Sequence, residues 1–387
     1  MKEPVAIVGI GQTTYRRRHS DKNSAELVRE AVVAALDDAG IDMSAIGVVI
    51  GGVAPDALAG LNHLDMGAIA RPGIPYFRVN TGGATGSSAI LAGLTWIAAG
   101  RAKAVLVVAM ERMGHAITAQ NIFNSIFDPI YEKDINMSTI SMVALRATLL
   151  MRKYDYKIEH WAELAARNSA NSMLNDTIDR PRSFTAAEVL QSEVLAWPIH
   201  RLEACPTSEG ACAIVLMAGS MVGKRSAAWV HGAAGLSDTY AMGDRVNRPE
   251  GGLVDLVTLQ RSAEHAYKSA GITDPLTQLD MVEIQAPFAS SEPMAYMALG
   301  LCVPTDGPKF TESIIDGTQR VSINRSGGPQ AANPVSATAM IRVTECALQI
   351  RGQAGRRQLD GIRKTVSTGQ GGATQFSTTI VLGDQRP

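Results

Sequence analysis

Hydrophobic positions along the chain fall into short, wholly apolar runs separated by stretches with a helical repeat. That is the pattern of strands buried on both faces alternating with amphipathic helices. Val5 to Ile10 is the first run. Beyond it, Asn23 with Glu26 three residues on predicts a capped helix start. Val28, Ala31, Val32, Ala35 and Leu36 give that helix one apolar face, and Gly40 stands where a left-handed C-cap is needed. Further strands are predicted over Val48 to Val53, Tyr76 to Asn80 and Ala104 to Met110. Thr85 to Ala99, between the last two, reads as a helix of small residues that can lie buried between sheets. From 115 to 200 the patterning weakens, with Pro129, Pro181, Pro198 and isolated helical stretches such as His160 to Asn171, which predicts an inserted loop domain.

The second half repeats the first. A shift of 231 residues lays Val28, Val32, Ala35, Leu36 and Ala39-Gly40-Ile41 onto Leu259, Ala263, Ala266, Tyr267 and Ala270-Gly271-Ile272. Each helix leads into an apolar strand, Val48 to Val53 or Met281 to Ile284. The helix Ser336 to Arg351 and the strand Thr378 to Leu382 then mirror the 85 to 110 unit. Two β-α-β-α-β halves are therefore expected, building two stacked sheets with helices between and outside them. Residues 1–114 and 201–222 are assigned to the first half, 115–200 to the loop domain and 223–387 to the second half.

With 46% apolar and 19% charged residues, 36 glycines and 5% aromatics, the chain is an Ala/Gly-rich α/β protein and neither disordered nor built on aromatic stacking. A net charge of -1 without a basic stripe excludes nucleic acid as the main partner, and Arg16-Arg17-Arg18-His19 reads as a solvated loop. The longest apolar stretch, Ala104 to Met110, is far short of the ~20 residues a bilayer span requires. The start, Met-Lys-Glu-Pro-Val-Ala-Ile-Val-Gly, lacks a secretory pattern, so a cytoplasmic location is expected. Cys205, Cys212, Cys302 and Cys346 have no metal-binding spacing and read as buried reduced thiols; no metal site is expected. Gly9-Ile10-Gly11 follows a strand but lacks the third glycine of a dinucleotide fingerprint.

Four motifs in order over nearly the whole chain resemble those of the thiolase superfamily, in its sterol-carrier-protein-linked branch. Val79-Asn80-Thr81-Gly82-Gly83-Ala84-Thr85-Gly86-Ser87-Ser88-Ala89 resembles the nucleophile loop and the start of the buried helix. Glu283-Ile284-Gln285-Ala286-Pro287-Phe288 resembles the HD-x-F or NE-x-F segment. Asn324-Arg325-Ser326-Gly327-Gly328 with Ala332-Asn333-Pro334 resembles the N-x-x-GG and GHP stretch, and Thr368-Gly369-Gln370-Gly371-Gly372 the terminal Cys-x-G-GG loop. The resemblance implies a five-layered αβαβα fold and a coenzyme A thioester as substrate, with no tightly bound cofactor. It also implies a homodimer paired through the Tyr76 to Asn80 edges, and a zinc-ribbon/OB-fold partner subunit of the kind that nucleophile-free relatives use.

The departures define the expected chemistry. A thiolase takes up its acyl group on a thiolate at the N-terminus of the buried helix. Gly83 stands at that position, Asn333 replaces the GHP histidine, Gln285 the HD-x-F histidine and Thr368 the second cysteine. Thiolysis through an acyl-enzyme is therefore expected to be absent. What remains is a set of donors, the Gly83 amide with Asn333 and Gln285, able to stabilise a thioester enolate. Such a site suits retro-aldol cleavage of a β-hydroxyacyl-CoA, as in the side-chain aldolases of steroid degradation that the sequence resembles. The two tyrosines of those aldolases correspond to about Ile284 and Ala331, so the base is sought in His115, Tyr296 or a partner chain. Ser87, Gly328 and Gly371 are the expected ligand-binding positions, with Ser87 and Ser88 also suited to capping the helix. His115 as a backbone-bonded loop residue and Tyr296 as a core residue are the competing structural roles. The competing functions are acyl transfer by an unusual mechanism and a catalytically inactive acyl-CoA-binding subunit.

Overall fold

The computed structural model describes residues 3–54, 71–116, 119–132, 137–246, 248 and 252–387. Its strands are β1 (Val5–Gln12), β2 (Val48–Gly52), β3 (Tyr76–Val79), β4 (Ala104–Arg112), β5 (Val194–Ala196), β6 (Ile199–His200), β7 (Glu209–Ala218), β8 (Ala228–Ser237), β9 (Met281–Glu283), β10 (Ser322–Ile323), β11 (Lys364–Gly371) and β12 (Phe376–Gly383). The large sheet runs β10-β9-β11-β12-β8-β1-β7-β4-β2-β3. Read outward from the centre, both halves have one plan. β1 and β8 pair antiparallel with β7 and β12, which pair antiparallel with β4 and β11; these pair parallel with β2 and β9, whose outer neighbours β3 and β10 are again parallel. This is the duplication written in hydrogen bonds.

The two halves expected as separate sheets are joined. Ala6 pairs with Trp229 and Ile7 with Ala228, so β1 and β8 make the ladder continuous at one short seam. Two helices lie between the halves, Thr85–Ala98 and Val335–Ile350. They can approach because Gly86 has no side chain: a Cβ there would come within 2.7 Å of the Met340 Cβ. Ile90, Leu94 and Ile97 from the first helix and Ala337, Met340 and Val343 from the second share one core with Ile7, Ile50, Val107, Ile214 and Ile380 of the strands. The outer helix Ser24–Ala39 covers the other face of the first half with Leu27, Val28, Ala31 and Ala35. Val257–Ala270 covers the second half with Leu259, Ala263 and Ala266. Its C-cap Gly271, like Gly40, is left-handed, and Asn23 and Glu26 form the capping box the sequence announced.

The segment from 115 to 200 holds the helices Thr139–Tyr154 and Ile158–Ser172. Leu150, Tyr156 and Trp161 pack into the outer core of the second half, so this segment forms part of the wall of the body. β3 is the terminal strand of the sheet. No helix among the described residues is long and apolar enough to cross a membrane, and no group of three or more potential metal-ligating side chains occurs among them.

Candidate active site

A cavity of about 820 Å³ opens on one side of the body, with the helices Thr139–Tyr154 and Ile158–Ser172 contributing to its wall. Gly82, Gly83, Gln285, Asn333, Gln370 and Gly372 line it, so the ends of all four sequence motifs meet there. Gly83 lies in the turn that leads into the first buried helix. A Cβ on Gly83 would stand 2.5 Å from the Gln370 carbonyl oxygen and 2.7 Å from Gln285 Nε2. The space of a nucleophile side chain is thus filled by protein.

Gln285 is the filler. It is 1% exposed; its Nε2 donates to the Gly83 carbonyl at 2.9 Å and its Oε1 accepts from the Gln370 amide at 2.6 Å. Its own amide donates to Thr368 Oγ1 at 3.0 Å. One amide hydrogen is left over, so Gln285 acts first as a brace between the Gly83 turn and β11. Thr368 is an acceptor inside that brace and is not among the lining residues.

Asn333 is held at both ends of its side-chain amide. Thr338 Oγ1 donates to its Oδ1 at 2.7 Å, which turns Nδ2 the other way, where it donates to Cys205 Sγ at 3.0 Å. Its amide donates to Ser208 Oγ at 3.0 Å, and a bridge between Thr207 and Asn333 ties the loop before β7 to the start of the second buried helix. Cys205 therefore lines the cavity, which the sequence reading of a plain buried thiol missed. No spacing pointed to it: Cys205 is far from Gly83 along the chain and is brought in by the Thr207–Asn333 and Ala204–Phe288 bridges. Burial pushes its thiol up to about 12, against the smaller opposing effect of the Asn333 hydrogen bond. At neutral pH it is a protonated thiol with no histidine beside it: among the described residues no histidine lines the cavity, and Asp179 is its one carboxylate.

The remaining expected site residues stand elsewhere. His115 is off the cavity wall; Nδ1 faces Glu209, while Nε2 is met by Arg112 Nη2 at 2.9 Å. Both ring nitrogens are engaged, leaving none to receive a proton from a ligand. Tyr296 is fully buried, donates to Glu292 Oε2 at 2.8 Å and packs edge-on against Phe310. Ser87 Oγ is occupied by the Ala84 carbonyl at 2.9 Å and Thr378 Oγ1 at 2.6 Å. Gly328 has φ +63° and serves the turn before Asn333, and Gly371 packs against the Thr81 carbonyl; neither lines the cavity, though their neighbours Gln330 and Gly372 do.

Comparison with known proteins agrees with this architecture. Residues 5–220 match the family model "Thiolase, N-terminal domain" and residues 251–384 "Thiolase C-terminal domain-like". Sterol carrier protein 2 of Gallus gallus is 30% identical over 96% of this chain and 71% of its own length. An acetyl-CoA acetyltransferase of Methanothermobacter thermautotrophicus is 26% identical over 92% of this chain and 93% of its own. Among solved structures, an Ltp2-ChsH2(DUF35) aldolase superimposes with a TM-score of 0.83 at 20% identity, covering 99% of this chain and 98% of that one. A monomeric SCP2-thiolase-like protein from Mycobacterium smegmatis gives 0.73 at 18% identity, covering 99% and 77%. With both halves matched and the duplicated sheet in place, the chain belongs to the thiolase family.

Proposed function

We propose that this protein is an acyl-CoA lyase that cleaves a β-hydroxyacyl-CoA by a retro-aldol reaction, without forming an acyl-enzyme. The observation that carries the reading is the filled nucleophile seat, with Gln285 Nε2 and the Gln370 carbonyl standing where a Gly83 side chain would be. The thioester oxygen would lie at the Gly83 turn and the free amide hydrogen of Asn333 Nδ2, donors that act on an enolate oxygen as it forms. The Cα–Cβ bond breaks, its electron pair passes to the enolate, and the β-hydroxyl gives up its proton as the carbonyl product leaves. Protonation at Cα then releases the shortened acyl-CoA, so the reaction is redox-neutral. Asp179, the one carboxylate among the described lining residues, is exposed beside Arg16, so the base is assigned to a partner subunit.

The aldolase with a similar fold joins Ltp2 to ChsH2(DUF35), which supports a partner subunit for this chain as well, and we propose a zinc-ribbon/OB-fold chain in that role. We further propose a homodimer built on β3, the terminal strand of the sheet, and a cytoplasmic location in keeping with four unpaired cysteines. Product analysis over a panel of β-hydroxyacyl-CoAs tests the retro-aldol reading. The parent should release a carbonyl compound and a shortened acyl-CoA, and Asn333→Ala should lose about 10²- to 10³-fold in turnover with CoA thioester binding retained. Full activity in Asn333→Ala would leave an inactive acyl-CoA-binding subunit as the better reading.

A second reading rests on Cys205, whose thiol lies in the cavity 3.0 Å from Asn333 Nδ2. An acyl group carried on Cys205 would make the protein an acyltransferase of unusual mechanism. Its raised thiol and the absence of a histidine among the described lining residues weigh against this.

A further inference from the structure

Arg146, in the Thr139–Tyr154 helix, is 3% exposed and lines the cavity wall one turn beyond Met142 and Val143. Its Nη2 donates to the Ala373 carbonyl at 3.1 Å and to Thr374 Oγ1 at 2.9 Å. Arg245, 4% exposed, donates from Nη1 to the same two oxygens at 2.7 and 2.9 Å. Two guanidinium groups thus share one carbonyl and one hydroxyl, both uncharged. Asp238 borders the small void beside them, but it accepts from Arg248 Nη1 at 3.1 Å, Thr258 Oγ1 at 2.5 Å and the Thr239 amide at 2.7 Å. Nε of Arg146 and Nε and Nη2 of Arg245 are buried without a hydrogen-bond partner among the described residues.

Buried like charges with unmade N–H bonds are costly; the charge of Asp238 offsets part of this for both arginines, and those of Glu132 and Asp244 part of it for Arg245, but none of them bonds the unmade N–H groups. Burial, and after it the charge of Arg245, pulls Arg146 down to about 9, so it still carries its proton at neutral pH. The coenzyme's phosphates have a separate place to go. Arg17, Arg180, Arg182 and Arg201 are exposed side chains at the mouth of the same cavity. Arg146 is buried instead, and the apolar side chains of Phe123, Ile126, Ile140 and Val143 line the same cavity. Thr374 is two residues beyond Gly372, at most about 7 Å of chain, which limits the reach from the thioester to the guanidinium pair.

We infer that Arg146, backed by Arg245, receives a carboxylate at the far end of a short acyl chain. The cavity would then accept the CoA half-thioester of a dicarboxylic acid of about four to six carbons. This rests on the reading of the cavity as an acyl-CoA site. Calorimetric binding to the full chain compares half-thioesters of that length with methyl-ended acyl-CoAs of equal length. The acid-ended ligand should bind about 10- to 100-fold tighter. In Arg146→Met that advantage should fall to within about twofold, with affinity for the methyl-ended ligand unchanged.

Equal binding of the two ligands by the parent protein, or an advantage that survives Arg146→Met, overturns the inference. So does a loss in Arg146→Met that is the same for both ligands and vanishes with dephospho-CoA thioesters, which would hand the seat to the coenzyme's phosphate. Should Arg146→Met not fold, Arg146→Lys decides: it keeps the charge without the planar fork and should lose about tenfold of the advantage, and an unchanged advantage refutes the assignment. Because affinity is read without turnover, failure of every thioester to bind sinks the acyl-CoA reading itself, whereas equal binding sinks the carboxylate receptor alone.

Discussion

Restoring a cysteine at Gly83 is the perturbation that probes the site's construction most closely. Its Cβ would stand 2.5 Å from a backbone oxygen and 2.7 Å from Gln285 Nε2, closer than carbon contacts allow. The side chain at 285 has to leave, giving up its bonds to Gly83 and Gln370, at 2.9 and 2.6 Å. Overpacking costs about 1–3 kcal/mol, and each of the two lost buried hydrogen bonds about 1 kcal/mol, so Gly83→Cys should destabilise by about 3–5 kcal/mol. The Gln285→Ala variant vacates the seat and removes the clash with the side chain, leaving the one with the Gln370 carbonyl. Urea unfolding of both single variants and the double variant should therefore return a favourable coupling of about 1–2 kcal/mol. Gly83→Cys should also take up no acyl group from a β-ketoacyl-CoA, since no histidine lines the cavity among the described residues to activate the thiol. A coupling below about 0.5 kcal/mol, or a Gly83→Cys protein as stable as its parent, would refute the filled-seat argument.

Three further outcomes follow from the same geometry. Burial lifts the Glu111 carboxyl to about 7, so the folded state holds a proton that the unfolded chain has released. This contribution is complete below the unfolded value of 4.5 and is lost as pH rises toward 7, by about 3 kcal/mol in all; in Glu111→Gln the slope of unfolding free energy between pH 5 and 7 should flatten, and an unchanged slope would contradict the assignment. Cys205 should react slowly with iodoacetamide at pH 7.5 and faster at each step toward pH 10, because its thiol is raised to about 12, and Cys205→Ala should keep its lyase turnover within about twofold. Fast labelling at neutral pH would contradict that. Tyr296→Phe should cost about 1–3 kcal/mol through the lost bond to the buried Glu292 while leaving turnover unchanged, and a collapse of turnover in a folded protein would return Tyr296 to the reaction.

The fold was legible because the strands are apolar runs and the helices carry their own punctuation. Asn23, Glu26 and Gly40 fix the ends of the first helix at Ser24 and Ala39, and the repeat at 257–270 follows the same apolar spacing. Boundaries moved by a residue or two where strands extend past their apolar core, as in β4, which continues through Glu111 and Arg112. The seam between β1 and β8 was not legible, since two backbone pairs leave no side-chain signature. At the site, motif position located Gly83, Gln285 and Asn333, and their side-chain partners had to come from the structure. Position alone could not show that Gln285 spends its amide on bracing two loops. Nor could it bring in Cys205 or Arg146, which reach the cavity through contacts between distant segments. His115 and Tyr296 were proposed for their chemistry, yet each is consumed by a buried carboxylate, Glu209 or Glu292.

The central claim is that the site polarises a thioester without becoming acylated by it. Intact-protein mass spectrometry during turnover of a β-hydroxyacyl-CoA, with the products followed in the same samples, tests it directly. Shortened acyl-CoA and a carbonyl product should accumulate while the protein keeps its unmodified mass at every time point. A transient acyl adduct formed at the rate of turnover, and abolished by Cys205→Ala, would contradict the claim.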